Sequence, residues 1–265
     1  MTDNLDTGFT PQDSSPAACE VHDDFFAIRR AEGDSAMLLA GAILLSDLLV
    51  QRDLAAHGTT VDSDPDRMLI GASGYLTSTP LPASEDREWH ADDPAAAANH
   101  RWLLGHQRFF VLMQLLIVSV KQLRDKADAE AVRDFAWLCR SSAHTMRYAA
   151  DFPPEIYGDV RDTMTPPAVN AGFSGLQTRD HRELVVQFRK LKQEGAMARL
   201  SAADATTVRE AVGEMYDAHL WVCDRFGGRT EQSLLMEQLG GKQETGLEAA
   251  EKLAHQRLGY FAGQH

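Results

Sequence analysis

Residues 102–123 read WLLGHQRFFVLMQLLIVSVKQL, the most strongly apolar helical pattern in the chain. Apolar residues occupy nearly every side of a helix drawn through it, whereas a helix at the surface carries one apolar stripe. We therefore predict a central, buried helix over residues 95–125, around which the rest of the chain packs.

Further helices are predicted on both sides of this run, and no useful length of sequence alternates as a strand does. One would begin at a cap on Asp34 or Ser35 and stop near Gly58. A long loop follows over residues 58–99, and a short helix, a turn and a loop are expected in residues 155–177. The other helices are predicted over residues 128–150, 179–197, 202–226 (after a Ser201 cap) and 248–260. The fold class predicted is all-α and single-domain, a helical bundle over residues 34–265, with residues 1–33 as a flexible acidic arm.

Composition excludes several classes of partner. The chain has 265 residues with 39 acidic and 26 basic side chains, a net charge of −13 that repels phosphate backbones and anionic membranes. The apolar run of residues 37–50 is interrupted by Ser46 and Asp47 and is shorter than the ~20 residues of a membrane span. Three scattered cysteines and a start without a signal peptide favour a reducing, cytoplasmic location.

Common catalytic motifs are missing from the sequence. It contains no HExxH, no Cys/His finger, no pair of Glu-x-x-His repeats, no glycine-rich phosphate loop and no GxSxG elbow. The sequence therefore gives no support for a zinc protease, a di-iron bundle, a nucleotide-binding domain or a serine hydrolase.

Two histidines lie on predicted apolar helices. His106 shares a helix face with Trp102, Phe109 and Phe110. Two interpretations are open: a core histidine hydrogen-bonded to a backbone carbonyl, or a pocket histidine that transfers a proton. His219 lies in EMYDAHLWVCDRF and is open to the same two interpretations, as a core residue or as a metal ligand. A pair on separate helices is compatible with a metal or heme between them.

The segment 179–199 is rich in arginine and lysine although the protein is acidic. Such charges are usually solvated. An arginine fork is also suited to a carboxylate, either of a substrate or of heme propionates.

Three segments together resemble the tryptophan 2,3-dioxygenase superfamily of histidine-ligated heme enzymes. Residues 100–114 (HRWLLGHQRFFVLMQ) resemble the family's helix with a His-Gln pair, and residues 159–179 (DVRDTMTPPAVNAGFSGLQTR) resemble its FR…SP…GFQSxQFR stretch. The helix with Tyr216, His219, Val222 and Arg225 resembles the one that carries the proximal heme ligand.

The resemblance implies a role for each of these residues. His106 would be the distal histidine and His219 the iron ligand of heme b. Arg179 would bind an amino-acid carboxylate, with Arg161 and Arg182 as alternatives. The substrate-binding set implied is Trp102, Phe109, Phe110, Arg161, Phe173, Ser174, Arg179 and Arg182.

Departures from the dioxygenases favour a smaller branch. The Gly-Thr-Gly-Gly loop after the proximal helix is absent, Thr178 stands where the dioxygenases have Phe, and fewer residues separate the two histidines. These features resemble the heme-dependent aromatic oxygenases that hydroxylate L-tyrosine in bacterial specialised metabolism.

The function expected is ortho-hydroxylation of L-tyrosine or a close analogue, with peroxide or O2 as oxidant, by a cytoplasmic homo-oligomer. The alternatives are ring cleavage of tryptophan or another indole, a heme sensor or carrier without turnover, and a helical interaction protein without heme.

Overall fold

A computed structural model describes residues 22–26, 57, 90–165, 178–230 and 245–262. Besides a helical turn at residues 22–25, these ranges form six α-helices and two short 3₁₀ helices, and no strand, which confirms the predicted all-α class. The predicted helix of residues 34–58 lies outside the described residues, apart from His57. The helices are α1 (Pro94–Lys126), α2 (Ala129–Ala149), α3 (Tyr157–Asp162), α4 (Arg179–Gln193), α5 (Ala202–Arg225) and α6 (Gly246–Leu258), and the 3₁₀ helices are Pro154–Ile156 and Ala196–Arg199.

Side-chain caps fix where the helices begin. Asp93 accepts a hydrogen bond from the Ala96 amide at 3.0 Å at the start of α1, and Asp128 caps α2 in the same way. Ser201 caps α5 as predicted, and Thr245 forms a capping box with Glu248 at the start of α6. Each such cap stabilises its helix by about 1 kcal/mol.

Helix α1 is the centre of the bundle, as its sequence predicts. It packs against α2, α3 and α4, and its residues Leu112, Leu116 and Val120 have no solvent exposure. The helix is long and apolar enough to cross a membrane by those measures alone. Because its apolar side chains are packed inside the protein, it is a core helix here.

Two contacts set how α2 lies between its neighbours. Gly105 of α1 faces Ala149 of α2, and a Cβ at Gly105 would lie 2.4 Å from the Ala149 Cβ, so only glycine allows this approach. Helices α2 and α5 run parallel, since the Arg140–Glu214 ion pair joins them near their middles and Arg225 contacts the Ala150 carbonyl at their C-terminal ends.

The structure differs from the prediction at the end of α4. The helix expected over residues 179–197 stops at Gln193, and a 3₁₀ helix follows over Ala196–Arg199. Gly195 adopts a left-handed conformation (φ 63°) between them, which ends an α-helix readily when the residue is glycine.

Part of the predicted acidic arm packs on the bundle. Residues 22–26 form a helical turn in which His22 and Phe26 are buried. The Phe26 carbonyl accepts a hydrogen bond from the Gln107 side chain of α1 at 2.8 Å. These five residues therefore belong to the folded body.

Candidate active site

A cavity of about 350 Å³ contains both predicted histidines on its wall. His106 reaches it from α1 and His219 from α5, and side chains of α2, α3, α4 and α6 complete the lining. The bundle thus brings together two histidines that are far apart in sequence.

His106 is held in a defined tautomer and orientation. Its Nδ1 lies 2.7 Å from the Trp102 carbonyl oxygen, which can only accept, so Nδ1 carries the proton and Nε2 has a free lone pair. The Phe26 ring is stacked on the imidazole at a centroid distance of 4.5 Å and an angle of 5°. Trp102 covers it from a second direction at 4.4 Å.

Burial keeps the His106 imidazole neutral. It lowers the pKa of His106 to about 4, and the hydrogen bond to the Trp102 carbonyl opposes that shift only in part. At neutral pH the side chain can therefore accept a proton, or bind a metal, through Nε2.

His219 shares its side of the cavity with a thiol. The Sγ of Cys223 lies 3.9 Å from the Nε2 of His219, one turn further along α5, and Cys223 forms no disulfide. Burial lowers the pKa of His219 and raises the pKa of Cys223 to about 11. The imidazole is thus in the neutral form that ligates metals, and the thiol is protonated. Cys223 is not among the residues predicted from the sequence, although its four-residue spacing from His219 on a helix is a usable signal.

Aromatic rings form the wall near His106. Tyr157 is stacked on Phe226 at 4.1 Å, and both rings meet Trp102 edge-on at about 6 Å. Phe109 and Phe110, two of the predicted substrate-binding residues, also line the cavity. Phe26, Tyr157 and Phe226 are not among the residues predicted from the sequence, because these rings come from three separate segments that only the fold brings together.

The three candidate arginines take different positions. Arg161 of α3 lines the cavity, whereas Arg179 and Arg182 of α4 are not among its lining residues. Arg179 is exposed, and it is Thr178 and His181 that line the cavity from this helix. The reason is helical phase, since one residue along a helix turns the side chain by about 100°.

Two further expected residues cannot be placed. Phe173 and Ser174 fall in residues 166–177, outside the described part of the chain.

The cavity wall carries buried polar atoms that lack a partner. Trp102 Nε1 and Thr145 Oγ1 have no hydrogen-bond partner among the described residues, and both side chains line the cavity. Buried polar groups are normally satisfied, so these two atoms are available to hydrogen-bond the polar groups of a ligand. Neutral histidines, apolar walls and two unsatisfied polar atoms fit a heme with an aromatic substrate beside it.

The comparisons with known proteins agree on one family. A family model described as SfmD 3-methyl-L-tyrosine peroxygenase matches residues 1–216. The 3-methyl-L-tyrosine peroxygenase of Streptomyces lavendulae is 30% identical over 263 residues, which cover 91% of this chain and 71% of the relative. The crystal structure of reduced SfmD, soaked with sodium hydrosulfite, is similar with a TM-score of 0.60 and 26% identity, over 80% of this chain and 76% of that chain. The family match includes His106 and Arg161 and ends just before His219.

Proposed function

The chain belongs to the SfmD 3-methyl-L-tyrosine peroxygenase family, and we propose that it hydroxylates the ring of L-tyrosine or a ring-substituted tyrosine with peroxide. Membership of this family makes it an oxidoreductase. In the proposed reaction one peroxide oxygen enters a ring C–H bond ortho to the phenol, giving a catechol, and the other leaves as water. The observation that carries the proposal is the pair of neutral histidines facing one aromatic-walled cavity.

Heme is the cofactor proposed for this cavity, and heme b is the form that the sequence analysis expects. When bound, it supplies an iron that activates peroxide for oxygen transfer. His219 would hold the iron through its neutral imidazole. Trp102 Nε1 and Thr145 Oγ1 support a bound group, since each has hydrogen-bonding capacity unused among the described residues.

His106 would move a proton at Nε2. Because Nδ1 keeps its proton on the Trp102 carbonyl, Nε2 is the atom that accepts a proton from peroxide or from the substrate phenol. The stacked Phe26 ring fixes the imidazole plane and covers it from water. This tautomer also suits a histidine that ligates iron. The assignment of iron to His219 and of proton transfer to His106 therefore follows from the family resemblance.

The amino-acid substrate would be bound at both ends. The aromatic wall of Trp102, Tyr157 and Phe226 accepts the ring, and an arginine binds the carboxylate. Among the three candidates, we infer Arg161, because it lines the cavity and lies on the same short helix as Tyr157. Homo-oligomer formation and a cytoplasmic location stay predictions.

The test combines binding with product analysis. The heme-loaded protein is titrated with L-tyrosine, 3-methyl-L-tyrosine, tyramine and L-tryptophan while the Soret band is followed. The same compounds are then incubated with peroxide and analysed by mass spectrometry. We expect a gain of one oxygen on a tyrosine-type amino acid. Tyramine lacks the carboxylate and should bind ~10-fold or more weakly, since a charge-assisted hydrogen bond contributes ~1.5–3 kcal/mol.

Matched arginine variants assign the carboxylate anchor. Arg161→Gln should weaken L-tyrosine binding by ~10-fold or more and leave tyramine binding nearly unchanged. Arg179→Gln is the control and should change neither. The reverse pattern would make Arg179 the anchor.

Other outcomes would support the alternatives. A gain of two oxygens on tryptophan would favour indole ring cleavage. A heme spectrum that no amino acid changes, without any product, would favour a sensor or carrier.

A further inference from the structure

Three consecutive backbone carbonyls after α2 each accept a hydrogen bond from an arginine. Arg225 donates from Nε to the Ala150 carbonyl at 3.2 Å and from Nη2 to the Phe152 carbonyl at 2.8 Å. Arg101 donates from Nη1 to the Asp151 carbonyl between them. We call residues 150–152 and these two arginines the carbonyl clamp.

Most of the carbonyl clamp is buried, and Arg225 is half-buried. Arg101 and Asp151 are fully buried, and their side chains also form an ion pair at 3.6 Å, so the charge of Arg101 is compensated. The guanidinium of Arg225 lies over the Trp221 ring at 5.3 Å, which supports the plane of the fork. The Ala150 carbonyl at the C-cap of α2 accepts from both the Phe152 amide at 3.0 Å and Arg225, so Arg225 adds to a turn that the backbone already closes.

The clamp joins the two helices that carry the histidines. Arg101 lies five residues before His106 on α1, and Arg225 lies six residues after His219 on α5. Residues 150–152 therefore have a fixed position relative to both histidines.

The same residues lead directly into α3. Pro153 and the 3₁₀ helix Pro154–Ile156 are all that separate the clamp from Tyr157. Phe152 is also stacked on Phe226, which is in turn stacked on Tyr157. A shift of the clamped carbonyls would thus move α3 and the Arg161 side chain that α3 presents to the cavity.

We propose that Arg225, together with Arg101, is a positioning residue that sets where Arg161 meets the substrate carboxylate. This inference rests on the proposed function, in which Arg161 binds that carboxylate. Arg225 is not among the residues that line the cavity, and it would act through residues 150–152. The planar guanidinium of Arg225 suits this role because its two donors reach the Ala150 and Phe152 carbonyls at once. A lysine ammonium presents its donors from a single point and cannot bridge the two carbonyls in the same way.

The experiment measures substrate binding in two backgrounds. Arg225→Gln and Arg225→Lys are made in the wild-type chain and in the Arg161→Gln chain. Heme content, Soret position, Kd for L-tyrosine, kcat and KM are measured for each. Arg140→Gln is the matched control, because Arg140 joins the same two helices through Glu214 near their middles, about ten residues before the carbonyl clamp.

We expect Arg225→Gln to weaken L-tyrosine binding and raise KM by ~10-fold, with heme content, Soret position and kcat close to wild type. Arg225→Lys should recover part of that loss. In the Arg161→Gln chain, Arg225→Gln should weaken L-tyrosine binding by less than ~2-fold. The reason is that substitutions of two residues that act as one unit do not have additive effects. Arg140→Gln should leave binding near wild type in both chains.

The failures of the two proposals can be told apart. A wild-type protein that binds no tyrosine-type amino acid overturns the proposed function and the positioning role with it. A wild type that binds, with Arg225→Gln at wild-type affinity, overturns the positioning role alone. Equal losses in both backgrounds, or a fall in kcat with unchanged KM, would also overturn it. If Arg225→Gln does not fold, the same comparisons are made with Arg225→Lys.

Discussion

The desolvated, neutral state of the half-buried His106 imidazole makes the heme-free protein lose stability in acid. The pKa of this histidine falls from its ordinary 6.5 to about 4 in the folded chain. Between these values the unfolded chain binds a proton that the folded chain does not, so the free energy of unfolding decreases as pH falls. By about pH 5 the loss due to His106 is about 2 kcal/mol relative to neutral pH. Above the ordinary pKa, His106 makes its full contribution to the free energy of unfolding. That contribution has been lost once pH falls below about 4.

The matched variant is His106→Phe. Phenylalanine keeps a ring against Phe26 but cannot titrate, so its unfolding should lose about 2 kcal/mol less than wild type between about pH 7.5 and about pH 5. Burial lowers the pKa of His219 as well, and this effect has the same sign in both proteins and cancels in the comparison. Urea unfolding of both heme-free proteins at the two pH values gives the difference directly.

One result would refute this reasoning. If wild type and His106→Phe lose the same free energy of unfolding on acidification, His106 titrates normally in the folded chain. The imidazole would then be open to water, and its proposed role as a sheltered proton acceptor would fail.

Three further predictions concern packing, chemistry and the cofactor. Gly105→Ala should destabilise the protein by ~2 kcal/mol or more in urea unfolding, because the new Cβ would meet Ala149. Gly213→Ala is the control: its new Cβ would have open space, so it should be neutral or stabilising by ~0.5–1 kcal/mol. Equal effects would mean that the close helix contact does not limit residue size. His106→Phe should retain heme, while product formation in the peroxide assay falls by ~10²-fold, and unchanged turnover would remove His106 from the chemistry. We expect acid–acetone to extract the heme, because heme b is not covalently bound to the chain. Heme that stays with the chain would indicate a covalent bond, and Cys223→Ala is the variant that would test this first.

The sequence predicted the helical frame well, for local reasons. The all-round apolar character of residues 102–123 predicted the central helix, and Ser201 predicted the start of α5. His106 and Trp102 are four residues apart on one helix, so their contact also followed from spacing.

The assembled cavity could not be predicted in the same way. The packing of Phe26 on His106 joins residues 80 positions apart, and Tyr157 and Phe226 meet only because the clamp and the bundle bring α3 to α5. Motif alignment favoured Arg179 as the carboxylate residue. Helical phase, which a motif does not encode, leaves Arg161 on the cavity wall.

The most direct test of the central claim compares the heme of wild type, His219→Ala and His106→Ala after identical reconstitution. We predict that wild type binds one heme with a histidine-ligated Soret spectrum, that His219→Ala loses this spectrum, and that His106→Ala keeps it. An unchanged histidine-ligated spectrum in His219→Ala, or its loss in His106→Ala alone, would contradict the assignment of the iron to His219. A wild-type protein that binds no heme would contradict the account as a whole.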